Sequence, residues 1–330
     1  MKIDIYTHVM PERYKKALYK YSDKFATEKA VQDRRPALTD HEMRLRILDG
    51  FPDVVEVLSA TMPPVEEVVG PREATDMAKM CNDEMAELVA RNPKKYIAAI
   101  ANLPLNDIDA TLKETERAIK VLGFKGVQVH TRVLGKPLTT PEMMPLYEMM
   151  CGFDLPIWIH PMRSSSQPDY ASETVSYNQI FSIFGWPFDT TVAMIRLVFA
   201  GIFEKFPNIK FITHHCGALV PYFRDRIIVH YNNGLERLGA DHYPGLTKHP
   251  IEYLRMFYND TALNGNPSAL NLALEFYGED RILFGTDLPY DVENGRLSVK
   301  QTIDAIEKMG VSPSAKQKIY EGNARRLLHL

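Results

Sequence analysis

The sequence predicts an α/β fold, a single (β/α)8 TIM barrel, on three observations. Eight short apolar runs, rich in β-branched residues, recur from one end of the chain to the other, separated by amphipathic stretches. Four runs end at or just before a polar side chain suited to chemistry, His8, His160, His215 or Asp287, as expected where parallel strands bring their carboxyl ends to one mouth. The composition, 45% hydrophobic and 25% charged over 330 residues, is ordinary for a globular chain. Barrels commonly exceed the average domain length, so residues 1–330 are expected to form one domain. An open doubly wound sheet is the competing architecture.

The first strand is residues 2–6, just ahead of His8. Residues 11–21 are polar and amphipathic, and 39–48 form a helix opened by a Thr39/Asp40 cap. The β-branched run 54–58 is the second strand. Over 73–90, Met77, Met80, Met85 and Leu88 recur at helical spacing, and Asn92-Pro93 stops the helix. The third strand is 96–101, followed by a helix over 108–122. A fourth strand over 126–129, a helix over 141–150 and a fifth strand over 155–159 come next. Segment 162–189 is too long for an ordinary strand-to-helix connection. Its aromatics (Tyr170, Tyr177, Phe181, Phe184, Trp186, Phe188) argue for an ordered insertion rather than a disordered one. Residues 190–206 are helical, 209–213 the sixth strand, 219–238 a long helix, and 257–259 a weak seventh strand. A helix over 267–276, the eighth strand over 282–284 and closing helices over 299–309 and 313–320 complete the chain. No internal repeat, low-complexity tract or domain linker is evident.

A formal charge of −3 supplies no long-range attraction to nucleic acid or to an anionic membrane. An anionic substrate must therefore be held by local charges. Cys81, Cys151 and Cys216 are sparse, odd in number and without CxxC spacing, which suits a reducing compartment. The chain runs from Met1 straight into a strand with no charged-then-apolar leader. No apolar stretch approaches the roughly 18 residues of a spanning helix; 194–203 is apolar but contains Arg196. A soluble, cytoplasmic protein without nucleic-acid or membrane partners is expected.

Imidazoles and a carboxylate gathered at a barrel mouth suit a divalent transition metal such as zinc. Each residue also has a plainer role. Asp287 can cap the next helix. Of His214 and His215, one is expected to be structural, because adjacent strand residues point to opposite faces. His130 follows the fourth strand and can either reach the mouth as a substrate contact or stay structural. Arg132 and Arg163 follow strands four and five, where a guanidinium can clamp a carboxylate or simply be solvated. Trp186 and Phe188 suit a substrate pocket or the core equally. His41, His230, His242, His249 and His329 lie on helices or in polar loops and are read as bystanders.

Several motifs occur in an order that resembles a known family. They are Ile3-Asp4-Ile5-Tyr6-Thr7-His8, Gly123-Phe124-Lys125-Gly126-Val127-Gln128 and Leu155-Pro156-Ile157-Trp158-Ile159-His160-Pro161, with Phe206-Pro207-Asn208 after them. His215-Cys216-Gly217 with Pro221, then Phe284-Gly285-Thr286-Asp287-Leu288-Pro289, and a closing Gly322-Asn323-Ala324 complete the series. The chain resembles the amidohydrolase superfamily, in the branch containing aminocarboxymuconate semialdehyde, γ-resorcylate and carboxyvanillate decarboxylases. The resemblance implies an amidohydrolase-like barrel with His8, His160 and Asp287 as metal ligands. It also implies His215 and Asp287 as the groups that move a proton, and a homodimer or homotetramer. Tyr6 departs from it, since His or Glu usually stands there. Tyr6 can bind as phenolate, or leave His8, His160 and Asp287 as the strong ligands, or mark a lost metal; the second reading is favoured.

The activity implied is metal-dependent decarboxylation of a small aromatic or dienoic carboxylic acid, with Tyr6, His130, Arg163 and Trp186 as substrate contacts. A divalent ion, zinc first and manganese second, would lower the pKa of bound water toward about 7 or polarise an oxygen. A hydrolase or hydratase of the lactonase type, on a related cyclic or unsaturated acid, is the alternative. A non-catalytic barrel that has lost its metal is the third.

Overall fold

The computed structural model describes residues 1–243 and 245–330. The first strand, Lys2–Val9, pairs in parallel with the second, Val54–Ala60, which pairs with the third, Tyr96–Ala99. The fourth to seventh strands, Val127–His130, Ile157–His160, Phe211–Thr213 and Tyr258–Asn259, form a second parallel set in that order. Single parallel bridges join these sets into a ring: Ala101 to Val127 across one seam, Asn259 to Ile282 and Thr7 to Leu288 across the other. The eighth position is filled by segment 282–288. Its main chain bonds both neighbours, Leu283 N–H to Asn259 O at 2.8 Å and Ile5 N–H to Phe284 O at 3.0 Å. This is the eight-membered parallel barrel that the alternating pattern predicts, and nearly every strand residue is buried, as in parallel sheets covered by helices.

The core has two parts. Ile3, Ile5, Val57, Ile100, Trp158 and Ile212 belong to a cluster contributed by alternate strand positions, which fills the barrel. Ala324, Leu327 and Leu328 of the last helix, Asn323–Leu328, join that cluster, so this helix plugs the end where the strands begin. A larger cluster lies between the strands and the surrounding helices. A fully buried ion pair, Arg44 Nε to Glu56 Oε2 at 2.8 Å, locks helix His41–Asp49 to the second strand. Arg44 also donates to the carbonyl of His8 at 2.6 Å, fixing the main chain where the first strand reaches the mouth.

Several elements differ from the sequence expectation. The first strand runs on through His8, because Thr7, His8 and Val9 keep pairing with Leu58, Ser59 and Ala60. The helix expected over 190–206 begins earlier, at Trp186, and breaks after Phe199. Gly201, with φ of 69°, takes a left-handed turn there before the short helix Ile202–Lys205. The expected strand 282–284 makes bridges rather than a ladder. Helix Ala26–Gln32 and the hairpin of Arg132–Val133 with Lys136–Pro137 were not foreseen. No helix among the described residues is long and apolar enough to cross a membrane, and Cys81, Cys151 and Cys216 are free thiols.

Candidate active site

The carboxyl ends of strands one, five and six and the segment 282–288 meet at one mouth. His8 is fully buried; its Nδ1 lies 3.3 Å from Ser59 Oγ and its Nε2 lies 3.2 Å from Asp287 Oδ1. His160 ends the fifth strand, and its Nδ1 is 2.7 Å from the carbonyl of Pro161. A carbonyl only accepts, so this contact places the proton on Nδ1 and leaves the lone pair on Nε2. Asp287 sits at φ of 64°, tied by its N–H to Tyr6 O at 3.1 Å. It caps no helix: the next one, Arg296–Lys308, begins nine residues later and has Gly295 at its N-cap.

His214 and His215 both face this mouth, their ring centroids 3.9 Å apart. The expectation that one of them points away fails for a local reason. The ladder ends at Thr213, and His215 and Cys216 adopt left-handed φ values of 54° and 55°. That kink cancels strand alternation, which applies only to extended backbone. His214 is the more deeply set of the two. Its Nδ1 is hydrogen-bonded to Asp260 Oδ2, and its Nε2 is 3.3 Å from Asp287 Oδ1. His215 borders the open cavity, with Nε2 4.0 Å from Asp287 Oδ2.

Sequence reasoning missed His214 as a site residue and Asp260 altogether. Asp260 directly follows the short seventh strand, and a polar residue at a strand's carboxyl end was the signal used for the other positions. Asp260 accepts from the N–H groups of Cys216 at 3.0 Å, Ala262 at 2.9 Å and His215 at 3.3 Å. It is therefore a fixed carboxylate at the back of the site.

Charges at the mouth are strongly coupled. Burial opposes ionisation of Asp287, but His214 and His8 beside it hold its carboxyl well below the usual range. Burial lowers the pKa of His8, and lowers that of His160 strongly with the neighbouring histidines adding to the effect. Burial and the charge of His214 press His215 down to about 4. Burial also disfavours the charged form of His214, yet Asp260 and Asp287 push its pKa up to about 10. Tyr6 is buried between carboxylates, and both burial and the charges of Asp260 and Asp287 raise its pKa, so it stays a neutral phenol.

The donor chemistry fits a divalent metal. Ligand atoms of His8, His160 and His214 all lie within 4.8 Å of one another, as do those of His214, His215 and Asp287. The Nε2 atoms of His8 and His214 are buried without a hydrogen-bond partner. Imidazole nitrogens and a carboxylate converging on a shared space are the groups that ligate such ions.

Of the expected substrate contacts, Arg163 and Trp186 line a cavity of about 330 Å³ together with His160, His215 and Asp287. Trp186 donates from Nε1 to the carbonyl of Arg163 at 2.9 Å, and its ring lies 6.3 Å from that of His215. Arg163 is partly committed to Asp169, Nη2 to Oδ1 at 3.2 Å. Gly185 lets it pass, since a Cβ there would stand 2.2 Å from Arg163 Cδ. Tyr6 and His130 are not among the lining residues. Tyr6 is fully buried beneath His214, and His130 sits behind His160 with ring centroids 5.5 Å apart and neither nitrogen partnered. Met62, Phe181, Ile183 and Tyr290 add apolar or aromatic wall, while Glu28, Gln32, Gln179 and Asn264 add polar groups, a mixed lining suited to a small organic ligand that carries polar substituents.

The family model described as amidohydrolase matches residues 3–330. The chain belongs to the amidohydrolase family. Among amidohydrolase relatives it is 27% identical to 2-amino-3-carboxymuconate-6-semialdehyde decarboxylase of Dictyostelium discoideum, over 100% of this chain and 92% of the relative. It is 29% identical to gamma-resorcylate decarboxylase of a Polaromonas species, over 93% of each. The crystal structure of a dihydroxybenzoic acid decarboxylase from Polaromonas superposes with a TM-score of 0.81 at 27% identity, covering 100% of this chain and 97% of that one. That structure holds manganese and the inhibitor 2-nitroresorcinol. The barrel expected from the strand pattern is thus the amidohydrolase barrel.

Proposed function

We propose that this amidohydrolase is a divalent-metal-dependent carboxy-lyase that removes CO2 from a small aromatic or dienoic carboxylic acid. The observation that carries the reading is a cluster of donors at one cavity: His160, His215 and Asp287 line it, and buried His8 converges with His160 on one side and lies 3.2 Å from Asp287 on the other. These three would hold the ion, zinc or manganese, since their donor types suit both; manganese is the ion in the Polaromonas relative. When bound, the ion would supply a Lewis acid for an anionic substrate.

The chain's own residues supply the rest. Trp186 and Phe181 offer flat apolar walls for a conjugated ring, and Arg163 brings a guanidinium to the rim. Asp287, a carboxylate in the resting site, takes up a proton from the incoming acid or hydroxyl group and returns it to the carbon bearing the carboxylate. His215, 4.0 Å away, is the second group able to relay that proton. Once that carbon is tetrahedral, its bond to the carboxylate breaks. The electron pair restores conjugation, and CO2 leaves.

Residues 1–330 act as one catalytic domain in this reading, because the ring closes between 2–9 and 282–288 and the last helix plugs its base. Exposed Ile183, Phe184 and Phe188 beside the mouth suit burial by a second copy, in keeping with a homodimer or homotetramer. The test is CO2 release from a panel of hydroxybenzoates and muconate-type acids with manganese or zinc. Silence across the panel together with rapid lactone hydrolysis would reassign the site to the hydrolytic alternative.

A further inference from the structure

We infer that His214, oriented by Asp260, is an additional ligand of the divalent ion, an inference that rests on the metal-dependent reading above. His214 is the residue shared by both groups of converging ligand atoms, His8 with His160 and His215 with Asp287. Its Nε2 is buried, aims into the mouth and has no hydrogen-bond partner. Its other nitrogen is occupied by Asp260. Asp260 in turn accepts N–H groups from Cys216, Ala262 and His215 and so cannot swing away. A carboxylate behind Nδ1 fixes the proton there, so Nε2 is the nitrogen able to give up its proton and coordinate, the arrangement that metal-bound histidines share. The Tyr6 ring, lying flat on the imidazole with centroids 3.8 Å apart, holds its plane.

One carboxylate oxygen lies between two of the imidazoles. Asp287 Oδ1 lies 3.2 Å from Nε2 of His8 and 3.3 Å from Nε2 of His214. A single proton can serve only one of those two contacts, and two protons would make both rings imidazolium with their centroids only 6.0 Å apart. One divalent cation satisfies all three atoms at once. Asp260 and Tyr6 are then positioning residues for the ligand, and His214 is the ligand.

The experiment is metal binding to the purified full chain, by equilibrium dialysis with manganese and by the visible spectrum of the cobalt-loaded protein. His214→Ala is expected to weaken manganese binding at least tenfold and to alter the cobalt spectrum. Asp260→Asn, which leaves the ring in place, is expected to weaken binding about 10- to 100-fold. Thermal unfolding in chelator reports whether each variant folds; if His214→Ala does not, Asp260→Asn decides alone. His8→Ala is the control for the metal-dependent reading itself. A protein that loses metal in His8→Ala but keeps wild-type affinity and spectrum in His214→Ala or Asp260→Asn overturns this inference alone. A wild-type protein that binds no ion overturns both.

Discussion

The Tyr6 ring stacks on the His214 imidazole with their planes 9° apart, and the phenol oxygen, although buried, bonds to nothing. The ring of this residue therefore matters more than its hydroxyl. Tyr6→Phe keeps the stack and removes an unsatisfied polar atom, a change that is close to neutral in such settings. Its manganese affinity should equal that of the wild type, and its unfolding free energy should lie within about 1 kcal/mol of it. Tyr6→Ala removes the ring and should cost about 3–5 kcal/mol. Urea titrations and dialysis on the same preparations check both. A Tyr6→Phe variant that no longer holds metal would make the phenol a ligand.

Arg44 and Glu56 form a buried ion pair behind the mouth, both side chains wholly inaccessible. Leaving one charge buried without its partner typically costs about 3–5 kcal/mol. Arg44→Met should accordingly lower the denaturation midpoint sharply and free the carbonyl of His8, which Arg44 now holds. A double variant, Arg44→Met with Glu56→Leu, should recover part of the loss, measured as the coupling in a double-mutant cycle.

Glu66, in the short helix Val65–Val68, supplies a pH prediction away from the metal site. It is 4% exposed, neither carboxylate oxygen has a partner, and burial raises its pKa to about 8. The unfolded chain ionises near the ordinary value of 4.5, so between these limits the native state holds a proton that the unfolded state has released. Stability from this group is full below the lower value and is lost as pH rises toward the upper one. Glu66→Gln should flatten that decline. The comparison is chemical denaturation of the two proteins from pH 5 to pH 8.5, and parallel curves would refute a neutral Glu66.

Removing the metal should destabilise as well as inactivate. A ligand present at a hundred times its dissociation constant contributes about 2.7 kcal/mol to the native state. Treatment with chelator should lower the melting temperature and abolish CO2 release. Manganese or zinc added back should restore both, and His160→Ala should show the low melting temperature whether metal is present or not. Identical melting curves for treated and untreated wild type would contradict metal binding.

The barrel was legible because its signals are local. Runs such as Val54–Ala60 must be apolar along their whole length when helices cover both faces of a parallel sheet, and that pattern survives in one dimension. His8, His160, His215 and Asp287 stood out because each follows such a run, and the structure brings them to one mouth. Asp260 did not stand out, since the strand before it spans only Tyr258–Asn259 and gives almost no periodic signal. Helix Trp186–Phe199 began earlier than expected because Gly185 and Pro187, read as loop residues, are compatible with a helix's first turn.

By itself, then, the sequence determined the order of strands and helices, the residues that reach the mouth from strands one, five and six and from the 282–288 segment, and the kind of donor each offers. Tertiary structure alone decided which nitrogen faces which oxygen. That two adjacent histidines turn the same way depends on left-handed backbone after Thr213, and that Asp260 backs His214 depends on two strands 46 positions apart being neighbours. Side-chain type is written in the chain, but orientation follows from backbone dihedrals and ring closure, which only the folded barrel sets.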